Sequence, residues 1–133
     1  MEIRQYRNYN EAEILNLYSS VGWTAYTDDP VSLKAGFENS LLTLVAYDGD
    51  MLIGVIRTVG DGQTIVYVQD IIVLPEYQRR GIGTALVKAI LTHFQSVRQI
   101  VLSTDNTSKT IAFYESLGFV KLTDIGCWGF MKA

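Results

Sequence analysis

The spacing of apolar residues divides the chain into segments of period two and segments of period near four. Residues 2–7 (EIRQYR) alternate as an opening strand does. Asn10 then precedes Glu11, Glu13, Ile14, Leu15, Leu17 and Tyr18, a capping residue followed by an amphipathic helix that Val21-Gly22-Trp23 ends. Asp29-Pro30 opens a second helix. The carboxylate can cap the first free N–H groups, and proline at the first helical position lacks only a donor that would have no partner. Leu33 and Phe37 mark its buried side. Leu41–Tyr47 and Met51–Val59 are β-rich runs joined by Asp48-Gly49-Asp50, and Asp61-Gly62 turns the chain into Thr64–Leu74, so an antiparallel meander of three strands is expected. After Pro75 the period changes. Ile82, Leu86, Ile90 and Phe94 recur every four residues and predict a helix from about Arg80 to Phe94. A short strand, Gln99–Ser103, a helix over Ser108–Leu117 closed by Gly118, and two closing strands, Phe119–Leu122 and Trp128–Met131, complete the series. The predicted order is β-α-α-β-β-β-α-β-α-β-β, an α/β fold with helices packed on a mixed sheet.

Composition narrows what such a fold can do. At 133 residues and 48% apolar content, one domain over 1–133 is expected, with a core that needs neither disulfide nor metal. One cysteine, Cys127, and one histidine, His93, leave no internal disulfide and no Cys- or His-rich metal site, and neither residue is assigned a role. No apolar run approaches the roughly twenty residues of a membrane span, and the N-terminus is polar, so a cytoplasmic protein without a membrane partner is expected. A net charge of −3 without a basic stripe argues against nucleic acid. Gln78-Arg79-Arg80 nevertheless places two cations directly before a glycine turn, and an anion is expected there.

That turn is the most informative segment. Asp70 to Ala85 reads as a strand, a tight turn, and a helix that begins inside the glycines. A helix start presents unpaired N–H groups and the positive end of the helix dipole. Gly81 and Gly83 carry no side chain to block a phosphate, and Arg79 and Arg80 add charge. The spacing is not that of a nucleotide P-loop, since no lysine follows the glycines, nor of a dinucleotide fold, since Leu86 stands where a third glycine would. Q-R-R-G-I-G-T-A after V-L-P-E-Y instead resembles the acetyl-coenzyme A motif of the GNAT superfamily of N-acetyltransferases. About thirty residues on, Ile111 to Phe119 (IAFYESLGF) is similar to the same family's A-x-x-F/Y-Y-E-x-x-G-F helix. The resemblance is specific from Thr64 to Phe119 and architectural over residues 1–60.

The resemblance implies the GNAT fold and a set of roles. Ile71, Ile72 and Val73 would receive the pantetheine arm of acetyl-coenzyme A on a splayed strand, a backbone N–H near Ile72 stabilising the oxyanion. Gln78, Arg79, Arg80, Gly81, Ile82, Gly83 and Thr84 would hold the pyrophosphate. Tyr114 would be the general acid that protonates the departing thiolate. An alkylammonium must lose a proton before it attacks, at a cost of about 4 kcal/mol at pH 7, and Asp70 is the first candidate for the base. Many relatives place asparagine seven residues before the helix tyrosine. Thr107 stands there instead, Asn106 lies one residue earlier, and Ser108 and Lys109 are candidates for the adenosine phosphate or for a solvated helix cap.

The acceptor is the least specified part. Leu17–Trp23, Leu33–Leu44 and Gly126–Phe130 resemble a small clade of the family that includes plant serotonin N-acetyltransferases, so Trp23, Tyr26 and Phe37 are candidates for an aromatic acceptor pocket as well as for the core. The expected activity is acetyl transfer to a small primary amine, with an aromatic amine among the candidates. Two alternatives stay open: a protein lysine or N-terminal amine as acceptor, and a coenzyme A-binding sensor without chemistry. Pairing of the last strand across a two-fold axis, giving a homodimer, also stays open.

Overall fold

The computed structural model describes all residues, 1–133. Its elements are β1 (Glu2–Gln5), α1 (Glu11–Ser20), α2 (Thr24–Thr27), α3 (Pro30–Glu38), β2 (Leu42–Asp48), β3 (Met51–Gly60), β4 (Ile65–Val73), α4 (Ile82–His93), β5 (Gln99–Leu102) and α5 (Ser108–Ser116), with single 3-10 turns at Pro75–Tyr77 and Leu122–Ile125. The chain divides into two compact units, Met1–Ser103 and Thr104–Ala133.

The first unit is built on a five-stranded sheet in the order β1-β2-β3-β4-β5, antiparallel except for the parallel pair β4–β5. β3 is its spine, and every residue from Leu52 to Thr58 is buried. A Cβ on Gly54 would lie 3.3 Å from the Ile72 carbonyl oxygen and from Leu86, which is how closely α4 packs on one face. Arg57, three residues on and so on the other face, lies against Gly36 of α3. That second face carries Ile14, Leu17 and Tyr18 of α1 and Leu33 and Phe37 of α3. Asn10 and Asp29 cap their helices, each accepting a backbone N–H at 3.2 Å from Glu13 and Ser32 respectively.

The hairpin between β3 and β4 is set by Asp61, whose Oδ1 accepts the N–H groups of Gln63, Thr64 and Ile65. The Thr64 hydroxyl and these amides hold its carboxyl far below the usual carboxylate range. Gly60 has to be glycine, because a Cβ there would stand 2.5 Å from the Ile65 carbonyl oxygen at a φ of 133°. The turn therefore allows one register, which places Asp70 opposite Arg57 after a bulge at Arg57/Thr58.

β5 pairs with β4 only from Ile65↔Gln99 to Val68↔Leu102, whereas β4 continues to Val73. The last five residues of β4 thus present an unpaired edge on that side.

In the second unit α5 is capped by Thr107, whose side chain accepts the Thr110 N–H at 3.3 Å, and Gly118 follows at a φ of 93°. The two closing strands expected at Phe119–Leu122 and Trp128–Met131 are not formed. The backbone satisfies itself locally instead: Phe119 N–H donates to the Tyr114 carbonyl at 3.1 Å and Cys127 N–H to Leu122 at 2.8 Å, around a 3-10 turn that Gly126 ends at a φ of 78°. A strand needs a ladder partner: Phe119 spends its donor on Tyr114, and Trp128–Met131 pairs with no strand of the sheet. The sequence-based reading also missed α2, a single helical turn too short to show a period.

Candidate active site

The unpaired edge of β4 has a definite polarity. Leu74 N–H donates to the Ile53 carbonyl on β3 at 2.9 Å. Backbone groups alternate sides along a strand, so those of Ile72 also point to β3, while those of Ile71 and Val73 point to the open side. The Val73 carbonyl is taken by Gln78 Nε2 at 3.1 Å, which leaves the N–H groups of Ile71 and Val73 as the outward donors. Placing an oxyanion donor near Ile72 therefore resolves onto its neighbours, since Ile72 spends its own amide on β3 and buries its side chain.

This edge runs directly into the glycine turn. Arg79 is the only non-glycine residue with positive φ, at 64°, and Gly81 follows at 80°. A left-handed arginine costs roughly 1–2 kcal/mol, a strain typical of backbone shaped for a ligand rather than for stability. Gly81 is the N-cap of α4 and offers no side-chain acceptor, and the first intrahelical bond is from Ala85 N–H to Gly81. The N–H groups of Ile82, Gly83 and Thr84 are accordingly left without a capping partner at the positive end of the helix. Arg79 and Arg80 are exposed beside them. Arg80 lies 5.1 Å over the ring of Tyr77, whose hydroxyl donates to Asp48 at 2.6 Å, so one of the two cations is held in place before any ligand arrives.

On the other face of the sheet Asp70, only 2% exposed, accepts three hydrogen bonds. Arg57 Nε donates to Oδ2 at 2.8 Å, the Tyr18 hydroxyl to Oδ2 at 2.8 Å and the Tyr26 hydroxyl to Oδ1 at 2.8 Å. Arg57 Nη1 also donates to Ser40 Oγ at 3.2 Å, and the guanidinium lies 5.4 Å from the Phe37 ring centre. Burial alone would lower the Arg57 value, but the adjacent carboxylate overrides it and the guanidinium stays a cation. Burial and the charge of Asp70 push Tyr18 far up. Tyr26 is also raised, by burial first, so both phenols remain donors. Asp70 is thus enclosed by side chains, and Tyr26, half-buried, is the member of the cluster nearest to solvent.

The three aromatic residues singled out for an acceptor pocket separate into two groups. Trp23 and Tyr26 stack at 6.1 Å and both meet Tyr18, at 6.1 and 5.2 Å, on the partly exposed side. Phe37 is buried against Tyr6, Tyr9 and Tyr18 and belongs to the core. Sequence reasoning passed over Arg57, Tyr18 and Ser40. The signal was present: Arg57 is the one charge inside the apolar run MLIGVIRTVG, and a charge on a strand covered on both faces needs a partner.

In the second unit Tyr114 is buried, and its pKa is raised by burial and then by the charge of Asp105. Its hydroxyl is not among the sealed polar atoms without a partner, a group that contains only Tyr9 Oη. Thr107 is engaged with Asp105 and Thr110. Asn106, Ser108 and Lys109 are exposed beside it. No cluster of three or more His, Cys, Asp or Glu side chains could hold a metal, and no helix is long and apolar enough to cross a membrane.

Residues 39–121 match the acetyltransferase (GNAT) domain family, and the chain belongs to it. An acetyltransferase of the GNAT family from Streptococcus pneumoniae TIGR4 is 40% identical and superposes with a TM-score of 0.91 over 99% of this chain and 96% of its own. The ycf52-like N-acetyltransferase of Prochlorococcus marinus is 30% identical over 86% of this chain, which spans 65% of that relative's length. An aminoglycoside 6'-N-acetyltransferase complexed with coenzyme A shares the fold at 21% identity and a TM-score of 0.73, over 89% of this chain and 84% of its own. The chain is an acetyl-coenzyme A-dependent N-acetyltransferase of the GNAT family, with that family's mixed α/β fold.

Proposed function

We propose that the chain transfers the acetyl group of acetyl-coenzyme A to the primary amine of a small molecule. One observation carries the placement of the donor: the free edge of β4 leads straight into an uncapped helix start flanked by two arginines. The pantetheine amides pair with the edge from Gln69 to Val73, and the pyrophosphate takes the N–H groups of Ile82, Gly83 and Thr84 with Arg79 and Arg80 beside them. The thioester oxygen then meets an outward N–H of Ile71 or Val73, which stabilises the oxyanion that forms when the amine attacks. Collapse breaks the C–S bond, and Tyr114 is assigned, on the family resemblance, to give its proton to the thiolate.

The attacking nitrogen must also shed a proton. Asp70 is too enclosed to touch an amine, so we assign it as the terminal acceptor through Tyr26, whose hydroxyl passes its proton to Oδ1 as it takes one from the substrate. Gln69 Nε2, donating to the Tyr26 hydroxyl at 3.0 Å, orients that group. Trp23 and Tyr26 form the aromatic wall of the acceptor site.

A small acceptor is favoured over a protein lysine because the cleft beside Tyr26 is small, about 140 Å3. The test is thiol release from acetyl-coenzyme A by the purified protein against arylalkylamines, polyamines, amino sugars and short lysine peptides. Release with one class of small amine is expected. Release with the peptides alone would overturn the small-molecule reading, and coenzyme A binding without release from any amine would favour a sensor.

Trp128, Phe130 and Met131 are 76%, 95% and 91% exposed, and a second copy is the partner we propose for them. Sedimentation equilibrium should show a dimer that Phe130→Asp converts to monomer. A wild-type protein that is monomeric throughout the micromolar range would reject the proposal.

A further inference from the structure

The cleft between α2 and α3 has a chemistry the transfer reaction does not require. Its floor contains Arg57 and Gly36, its wall Tyr26, and its rim Ala25 and Asp29. Arg57 is 94% buried by its 6% exposure, yet of its five N–H groups only one on Nε and one on Nη1 reach a protein acceptor. None of its nitrogens is sealed off without a partner. Nη2, which has no protein acceptor, is therefore not sealed, and the cleft is a space that Arg57 lines. Gly36 is what leaves room for the guanidinium, since a Cβ at that position would stand 3.3 Å from Nη1. At the rim Asp29 uses Oδ1 on the Ser32 N–H, and no protein group donates to Oδ2.

A ligand that suits both ends presents oxygen acceptors to the floor and carries a cationic group that Asp29 attracts on entry. The Arg57 charge is already balanced by Asp70, so the floor offers directed hydrogen bonds more than net positive charge, and an anion without a cationic group would be repelled by Asp29. Tyr26 lines the cleft and is hydrogen-bonded to both Asp70 and Gln69 of β4, so a group on Arg57 lies beside the strand of the proposed acetyl site.

We infer that the acceptor is an amino-carboxylic acid whose carboxylate seats on Arg57, making Arg57 a specificity-determining residue. The inference rests on the small-amine reading above. Its test compares matched pairs that differ only by the carboxyl group: phenylalanine with phenethylamine, lysine with cadaverine, and 4-aminobutyrate with propylamine. The carboxylated member of at least one pair should have a KM lower by about tenfold or more, the worth of a charged hydrogen bond. Arg57→Gln should abolish that preference. Because that change strips a buried carboxylate of its partner and can unfold the protein, Ala25→Leu, which narrows the mouth from an exposed position, should also reduce the ratio. A binding readout separates this inference from the transfer reaction. In the 15N-labelled protein the Gly36 amide should shift on titration with 4-aminobutyrate and not with propylamine. Turnover without any carboxyl preference would sink the cleft assignment alone, whereas a Gly36 shift without thiol release would leave the cleft standing and reject acetyl transfer to these amines.

Discussion

Replacing Tyr114 by phenylalanine should lower kcat by about a hundredfold or more while leaving the KM for acetyl-coenzyme A within about twofold. Loss of a positioned general acid accounts for a drop of this size, because the thiolate must then leave without its proton. The substitution removes one hydroxyl that makes no hydrogen bond to the protein and keeps the ring that packs against Phe113 and Phe119 at 5.0 and 5.8 Å, so folding should be nearly unaffected. The pH dependence adds a second check. Burial, and then the charge of Asp105, raise the phenol above its ordinary value near 10, so the protonated form that donates is present at every pH below that value. The wild-type kcat should therefore show no alkaline fall below pH 10 attributable to this group. Steady-state thiol release from pH 6 to 9.5, with both proteins, measures all of this. A phenylalanine variant that turns over at the wild-type rate would remove Tyr114 from the mechanism and leave the fold untouched.

The Asp70→Ala protein should lose about 3–5 kcal/mol of stability, the usual consequence of stripping a buried ion of its partner. Arg57 would be left 94% buried by its 6% exposure with its charge unbalanced, and the Tyr18 and Tyr26 hydroxyls would lose their acceptor. The same change removes the proposed terminal proton acceptor, so stability and catalysis fall together. Tyr26→Phe separates the two: it keeps the ion pair, costs far less stability, and should still lower kcat. Urea unfolding followed by tryptophan fluorescence measures the first effect. A loss under about 1 kcal/mol would mean that the Arg57–Asp70 pair contributes little net energy, as replaced buried pairs sometimes show.

Much of the proposed donor half of the site is local in sequence. The turn from Gln78 to Thr84 is built on glycine placement and a helix start, features that a run of seven residues defines. The capped helices at Asn10 and Asp29 and the turn at Asp61 were legible for the same reason, since each is closed by contacts within four residues. The closing strands were not. Trp128 to Met131 has the composition of a strand, but a strand exists only where another supplies its ladder, and no strand of the sheet pairs with this segment. The extent to which β4 stands free of β5 was also beyond the sequence, because it depends on where their pairing stops.

The family and the glycine turn with its two arginines were thus determined by the sequence itself, through glycine placement, cation placement and helix capping over short distances. Tertiary structure alone decided which amides of β4 face outward, and it alone brought Tyr18, 52 residues away, onto the Asp70 carboxylate with Arg57 and Tyr26. The physical reason is register. Side chains and amides change sides at every residue of a strand, so a bulge at Arg57/Thr58 and the pairing fixed by the Asp61 hairpin set which groups meet, and no local pattern reports either one.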